Sequence, residues 1–201
     1  MPTVLVTAFE PYDCWPENSS WLTLVELTKN LPDAPAVTTR LYPVDVGVMR
    51  KRLSEDLEAN YDYALHLGQA PGAACVRLEA IGINVVEEGE PALQTCQPLV
   101  PEGPVAYQST LPLADWAARL RKVGIPCRVS YHAGTFVCNA ALYLSHYFAE
   151  QKRLKTRSTF IHLPLELSQT LDRPQDLAAM PAATLVAAVR RILDELAAEA
   201  P

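Results

Sequence analysis

Cys138 lies where a loop gives way to a helix, in the run Ala-Gly-Thr-Phe-Val-Cys-Asn at residues 133–139. A short β-rich approach at residues 126–130 precedes this run, and a helical pattern from Ala140 to Glu150 follows it. Backbone N–H groups at a helix start lack acceptors, and the helix dipole there favours negative charge. Because both effects stabilise a thiolate, the position predicts a cysteine nucleophile.

A cysteine nucleophile needs a base, and the chain has four histidines. His162 ends a strand pattern, Phe-Ile-His-Leu-Pro at residues 160–164, where a side chain can project over a neighbouring helix start. His66 alternates into an apolar strand and is expected to be structural, whereas His146 lies two turns along the cysteine helix, too far from the thiol. We favour His162, and His132 stays an alternative on spacing alone.

The base needs an orienting group, which spacing alone identifies less well, and Glu79 is a candidate. It sits in an otherwise apolar strand pattern, where a carboxylate must find a partner or stay protonated. Simpler interpretations stay open for each residue of this set. Glu79 could face solvent from an edge strand, His162 could bond a backbone carbonyl, and Cys138 could act as a small buried hydrophobe.

The elements that must position these residues alternate between strand and helix patterns. Strand patterns cover residues 4–9, 36–42, 63–67 and 76–86, and residues 87–104, which contain four prolines, are expected to be an irregular arm. Further strands flank the cysteine helix, and an amphipathic helix ends the chain. This order predicts a three-layer α/β/α sandwich with a central twisted mixed sheet, formed as one domain by residues 1–201.

The composition excludes several classes of function. The chain of 201 residues is 49% hydrophobic and carries a net charge of −6, without the clustered basic face that nucleic-acid binding requires. No apolar run is long enough to span a membrane, and the first residues indicate a strand rather than a signal peptide. Five cysteines without a C-x-x-C pair favour reduced thiols in a cytoplasmic protein, with no disulfide framework and no zinc ribbon.

Several stretches of the chain resemble the pyroglutamyl peptidase I family, also called pyrrolidone carboxyl peptidases, and they occur in the family's order. The run at 133–139 matches the family's nucleophile motif without a change, and the run at 160–164 matches its histidine motif closely. Weaker similarities lie at residues 4–12, 68–70, 79–84 and 103–112. The resemblance therefore extends over nearly the whole chain.

The resemblance implies a triad of Cys138, His162 and Glu79 that removes an N-terminal pyroglutamyl residue from peptides without a metal or cofactor. It also implies that the substrate-binding residues are Phe9, Tyr12, Gln69, Phe136 and Val137. Members of the family commonly form homo-oligomers, so a dimer or tetramer is expected.

The chain departs from the family's pattern in places that affect the expected pocket. Ala80 replaces the arginine that usually follows the glutamate, and residues 87–93 replace the family's Asp-Ala-Arg-Ile-Pro-Asp-Asn segment, so that Gly89 and Glu90 stand at its arginine and isoleucine. One side of the pocket is thus expected to be rebuilt and more acidic. Two alternatives to the active peptidase follow: a member that binds lactams without efficient turnover, and a cysteine hydrolase of another small amide.

Overall fold

The computed structural model describes residues 1–88 and 95–198. It contains five long helices within these ranges, and two short 3₁₀ turns lie at Leu57–Ala59 and Leu167–Thr170. The helices are α1 (Ser19–Thr28), α2 (Val46–Asp56), α3 (Leu113–Lys122), α4 (Val137–Gln151) and α5 (Ala182–Ala198). None of the helices in the described ranges is long and apolar enough to cross a membrane.

Twelve strands are present in the same ranges, several of them only two or three residues long. They are β1 (Thr3–Phe9), β2 (Ala36–Tyr42), β3 (Tyr63–Gln69), β4 (Val76–Glu79), β5 (Ile81–Ile83), β6 (Val86–Glu88), β7 (Thr95–Gln97), β8 (Ala106–Gln108), β9 (Cys127–Ser130), β10 (Arg157–Leu163), β11 (Leu165–Glu166) and β12 (Ala179–Met180).

Six of these strands form the central sheet, in the order β2-β1-β3-β10-β4-β9. The first four are parallel to one another, whereas β4 pairs with β10 in the antiparallel sense and β9 runs parallel to β4. The sheet is therefore mixed. Strand β10, which comes last of the six in the sequence, lies near the middle of the sheet.

Helices cover both faces of the sheet. One core contains apolar residues of α1, α3 and α5, and the second contains residues of α2 and α4. Alternate residues of β1, β3 and β10 contribute to the two cores, since successive side chains point to opposite faces. This arrangement confirms the predicted three-layer α/β/α sandwich with a mixed sheet.

The predicted single strand over residues 76–86 is wrong. Strand β4 ends at Glu79, and β5 then leaves the central sheet to pair with β8. Gly82 lies at the centre of β5, where an added Cβ would come within 2.8 Å of the backbone nitrogen of Tyr143 in α4. The break in the strand thus lets the chain pass directly beneath helix α4.

The predicted irregular arm over residues 87–104 also needs correction, because it contains most of β6 and all of β7. Strands β6 and β7 pair in the antiparallel sense, with Val86 opposite Gln97. The prolines lie outside these short strands, so they do not disturb the pairing. Gly89 and Glu90, on which the expectation of a rebuilt pocket partly depends, lie outside the described residues.

Candidate active site

Helix α4 begins at Val137, three residues before the start at Ala140 that the pattern predicted, and Cys138 is its second residue. The N-cap residue, Phe136, has an extended backbone and provides no side-chain hydrogen bond to the first turn. Ala140 is the first residue whose N–H bonds back to the carbonyl of Phe136, at 3.0 Å. The N–H groups ahead of it therefore have no acceptor within the helix and surround the half-buried thiol with positive potential.

His162 and Glu79 face each other across the antiparallel pair β10·β4. The register sets Phe160 opposite Glu79, so His162 lies two residues further along on the same face of the sheet. The Nδ1 atom of His162 lies 2.8 Å from Oε1 of Glu79. Glu79 is fully buried and His162 is 8% exposed, so the solvent-facing interpretation of Glu79 does not hold.

Negative groups around His162 determine its protonation. Burial on its own lowers the pKa of His162, but the charge of Cys138, a hydrogen bond to Cys138 and the contact with Glu79 together raise it to about 9. Because Nδ1 is bonded to Glu79, Nε2 is the ring nitrogen that stays available to the Cys138 sulfur. These neighbours favour the imidazolium form of His162.

The other histidines lie apart from the thiol. His66 bonds through Nδ1 to Thr7 Oγ1 at 2.8 Å and through Nε2 to Ser145 Oγ at 3.1 Å. Burial lowers the pKa of His66 to about 3 and that of His146 to about 4. His132 is exposed and does not line the cleft beside Cys138. Of the four, His162 alone shares that cleft with the cysteine.

A cleft of about 260 Å³ opens beside Cys138. This volume lies somewhat below the roughly 300–1,000 Å³ of pockets for drug-sized ligands, so it suits a small ring. Its walls include all five residues predicted to bind substrate, together with Cys138 and His162. The lining residues are Phe9, Tyr12, Asn18, Val44, Gly68, Gln69, Phe136, Val137, Cys138 and His162.

Two polar groups of this mostly apolar cleft are the Tyr12 hydroxyl and the Gln69 amide. The Tyr12 hydroxyl donates to the backbone carbonyl of Gln69 at 3.3 Å. Burial raises the pKa of Tyr12 to about 12, the charge of Cys138 adds to this rise, and the side-chain amide of Gln69 opposes it. The Ser19 N–H donates to Gln69 Oε1 at 2.7 Å, so Nε2 is the amide atom left without a partner among the described residues.

Gly68 has no side chain, and the Phe160 ring and the Cys138 sulfur lie close to the space that a side chain would need. An added Cβ at this position would lie 2.4 Å from the ring of Phe160 and 3.4 Å from Cys138 Sγ. The Phe160 ring in turn packs against the His162 ring, with centroids 4.7 Å apart. The sequence signal for this role is a glycine inside an apolar strand, which indicates close approach of another group.

Asn139 anchors the start of α4, and sequence reasoning missed it. Its amide accepts from Ile83 N–H at 2.9 Å and donates to the carbonyls of Ile83 at 2.9 Å and Val85 at 2.8 Å. The side chain is fully buried, so these three bonds fix Cys138 relative to the segment that follows Glu79. The available signal was an amide beside the nucleophile, since a buried amide must find partners.

Groups of three or more His, Cys, Asp or Glu that could hold a metal ion are absent from residues 1–88 and 95–198. The five cysteines are all unpaired. The cleft brings together a thiol, Cys138, and an imidazole, His162, which is bonded to the Glu79 carboxylate.

Comparison with known proteins shows similarity along the whole chain. The profile of the pyroglutamyl peptidase family matches residues 2–199. The pyrrolidone-carboxylate peptidase of Erwinia tasmaniensis is 35% identical over 195 residues, which cover 94% of this chain and 90% of that protein. The pyrrolidone-carboxylate peptidase of Streptomyces coelicolor is 36% identical over 199 residues, which cover 96% of this chain and 91% of that protein.

A solved structure gives the same result at the level of the fold. The pyrrolidone carboxyl peptidase of Fervidobacterium islandicum AW-1 superposes with a TM-score of 0.90 at 31% identity, and the alignment covers 98% of both chains. Sequence and fold thus agree with the resemblance carried by the cysteine and histidine motifs. The chain belongs to the pyroglutamyl peptidase family of hydrolases.

Proposed function

We propose that the protein removes an N-terminal pyroglutamyl residue from peptides by acyl transfer to Cys138, with His162 as acid and base and Glu79 as the group that orients it. The placement of His162 beside Cys138 in a small apolar cleft, with its other side bonded to Glu79, carries this proposal. The elevated pKa of His162 supports an imidazolium that is ready to donate its proton.

The cleft is suited to a flat, uncharged lactam ring. Phe9, Phe136 and Val137 supply apolar walls, and Gln69 Nε2 supplies a donor for the ring carbonyl. The lining residues within the described ranges 1–88 and 95–198 include no carboxylate, so they offer a free α-ammonium group no ionic partner. The site thus favours a blocked N-terminus over an ordinary one.

In the acylation step, the Cys138 sulfur attacks the carbonyl carbon of the pyroglutamyl residue and a C–S bond forms. The unpaired N–H groups at the start of α4 stabilise the developing oxyanion. When the tetrahedral intermediate collapses, the C–N bond breaks and His162 Nε2 transfers its proton to the leaving amine. The products are a thioester on Cys138 and a peptide with a free amine.

In the deacylation step, His162 is neutral and accepts a proton from a water molecule that attacks the thioester. The C–S bond breaks, free pyroglutamate leaves, and the thiolate–imidazolium pair is restored. Glu79 keeps the same ring orientation in both steps, because its Oε1 holds the Nδ1 proton throughout.

The test is release of a fluorescent amine from a pyroglutamyl-amide, measured with the native protein and with Cys138→Ser. Prolyl-amide with the same leaving amine is the matched control substrate, since its five-membered ring carries a charged nitrogen and no ring carbonyl. We expect cleavage of the pyroglutamyl substrate by the native protein alone. Full activity in Cys138→Ser, or no activity in the native protein, would refute the proposal.

Three wider expectations remain part of this proposal. The chain acts as one domain over residues 1–201, works in the cytoplasm and assembles into a homo-oligomer, a dimer or a tetramer. Sedimentation of the purified protein measures the assembly, and a monomer at micromolar concentration would contradict it.

A further inference from the structure

Gln69 is held by hydrogen bonds whose donor and acceptor roles are unambiguous. Its Oε1 accepts from the backbone N–H of Ser19 at 2.7 Å. Because a backbone N–H can only donate, the atom that faces Ser19 must be the amide oxygen. The nitrogen of the same amide, Nε2, is buried and makes no hydrogen bond within the part of the chain that the structure describes.

A second donor reaches the same oxygen from a distant part of the sequence. Gln169, in the 3₁₀ turn Leu167–Thr170, donates from Nε2 to Gln69 Oε1 at 2.8 Å and to the carbonyl of Glu17 at 2.9 Å. Its own Oε1 accepts from the backbone N–H of Glu166 at 2.9 Å, as part of a capping box. Backbone groups at Glu17 and Glu166 therefore fix the orientation of the Gln169 amide as well.

We propose that Gln169 is a positioning residue for substrate recognition: it fixes the Gln69 amide so that Nε2, rather than Oε1, faces the lactam carbonyl. This inference rests on the proposed function, since it gives Gln169 a part in binding the pyroglutamyl ring. The two donors on Gln69 Oε1 exclude the flipped amide, which would set a carbonyl oxygen against the carbonyl oxygen of the ring.

The turn that carries Gln169 follows His162 by only a few residues. Strand β10 ends at Leu163, and the capping box begins at Glu166. One short segment thus supplies the proton donor of the reaction and the residue that orients the polar group of the cleft. Gln169 acts through Gln69 and needs no direct contact with the substrate.

The variant Gln169→Glu tests the orientation. Glutamate is a usual residue at this position of a capping box, so it keeps the bond to the Glu166 N–H and the shape of the turn. It offers only acceptors to Gln69 Oε1 and to the Glu17 carbonyl, so it repels the amide orientation that the Ser19 N–H supports, and Nε2 is no longer held firmly towards the cleft. We expect KM for the pyroglutamyl-amide to rise about 10-fold or more, which is the effect of opposing one buried hydrogen bond.

The division between KM and kcat separates this role from a structural one. We expect kcat of Gln169→Glu to stay within about 3-fold of the native value, because the ring orientation affects binding more than the thiol chemistry. Alkylation of Cys138 by iodoacetamide, followed by peptide mass spectrometry, should keep its native rate. A fall in kcat with KM unchanged would overturn the proposal.

Two further variants complete the design. Gln169→Met removes the donor without adding an acceptor, and Ser19 N–H still holds Gln69 Oε1, so we expect a clearly smaller rise in KM than with glutamate. In a Gln69→Ala background, Gln169→Glu should raise KM no further. Equal effects of Met and Glu, or additive effects in the double variant, would overturn the positioning role.

The outcome for the native protein distinguishes the two proposals. If the native protein cleaves the pyroglutamyl-amide and Gln169→Glu shows the same KM, the positioning role fails and the peptidase function stands. If the native protein cleaves no pyroglutamyl substrate, the proposed function fails and the positioning role fails with it.

Discussion

Replacing Glu79 by glutamine removes one charge from the site and leaves its shape intact. Glu79 Oε1 lies 2.8 Å from His162 Nδ1 with both side chains buried, and a glutamine oxygen can keep that hydrogen bond. With charges about 4 Å apart and an effective dielectric constant of about 20, the lost attraction is roughly 4 kcal/mol. That corresponds to about 3 pKa units as an upper value, and about 1–3 units are usual for such pairs.

The sign of the effect follows from the protonated form that the reaction needs. Imidazolium donates the proton to the leaving amine, so kcat/KM is retained below the His162 pKa of about 9 and falls as pH rises through it. Glu79 favours the imidazolium, and its neutral replacement lowers this pKa. We therefore expect the alkaline limb of the Glu79→Gln profile to move about 1–3 units towards acid.

The assay is kcat/KM for a pyroglutamyl-amide between about pH 5 and 10, a range that spans both limbs of a bell-shaped profile. The control is Glu55→Gln, an exposed carboxylate of α2, which should leave the profile unchanged. If Glu79→Gln lowered activity equally at every pH, with the alkaline limb in place, Glu79 would not act through the charge of His162 and the reasoning would be refuted.

Three further predictions concern packing and stability. Gly68→Ala drives a Cβ to 2.4 Å from Phe160, so kcat/KM should fall about 10²-fold; Gly47→Ala, whose Cβ meets nothing closer than 3.4 Å, should not change it. In the folded protein His66 has a pKa of about 3 and His146 a pKa of about 4, both below the value of about 6.5 in the unfolded chain. Urea titrations should therefore show the free energy of unfolding falling as pH drops below about 6.5, by up to about 1.4 kcal/mol per pH unit for each histidine. His146→Gln should reduce that slope by about half, and an unchanged slope would contradict this account. Calorimetry of the native protein should show one unfolding transition, whereas two would contradict the single domain.

The residues of the proposed site could be selected from the sequence because each has its own local signal. Cys138 lies at a loop-to-helix boundary, and His162 ends a strand, so both could be selected before their neighbours were known. Glu79 was recognisable as a carboxylate in an apolar strand. The alternation of strands and helices gave the three-layer fold correctly.

Contacts between distant segments were not predictable in this way. Gln69 and Gln169 are 100 residues apart, and nothing in the pattern around either one indicates that their amides meet. The break after Glu79 was also missed, because hydrophobic alternation continues from β4 into β5 while the chain changes partners. Periodicity reports which face of a strand is buried, but it does not report which strand lies beside it.

The central place of β10 links catalysis to the completion of folding. Without β10 the sheet consists of two separate groups of strands, β2-β1-β3 and β4-β9. Cys138 then also lacks its proposed base, because His162 is a residue of β10. Insertion of a late strand between two earlier groups closes long loops and is intrinsically slow. A chain in which β10 has not yet paired therefore lacks the histidine beside Cys138. We expect activity on refolding to return with the slowest gain of β-sheet signal.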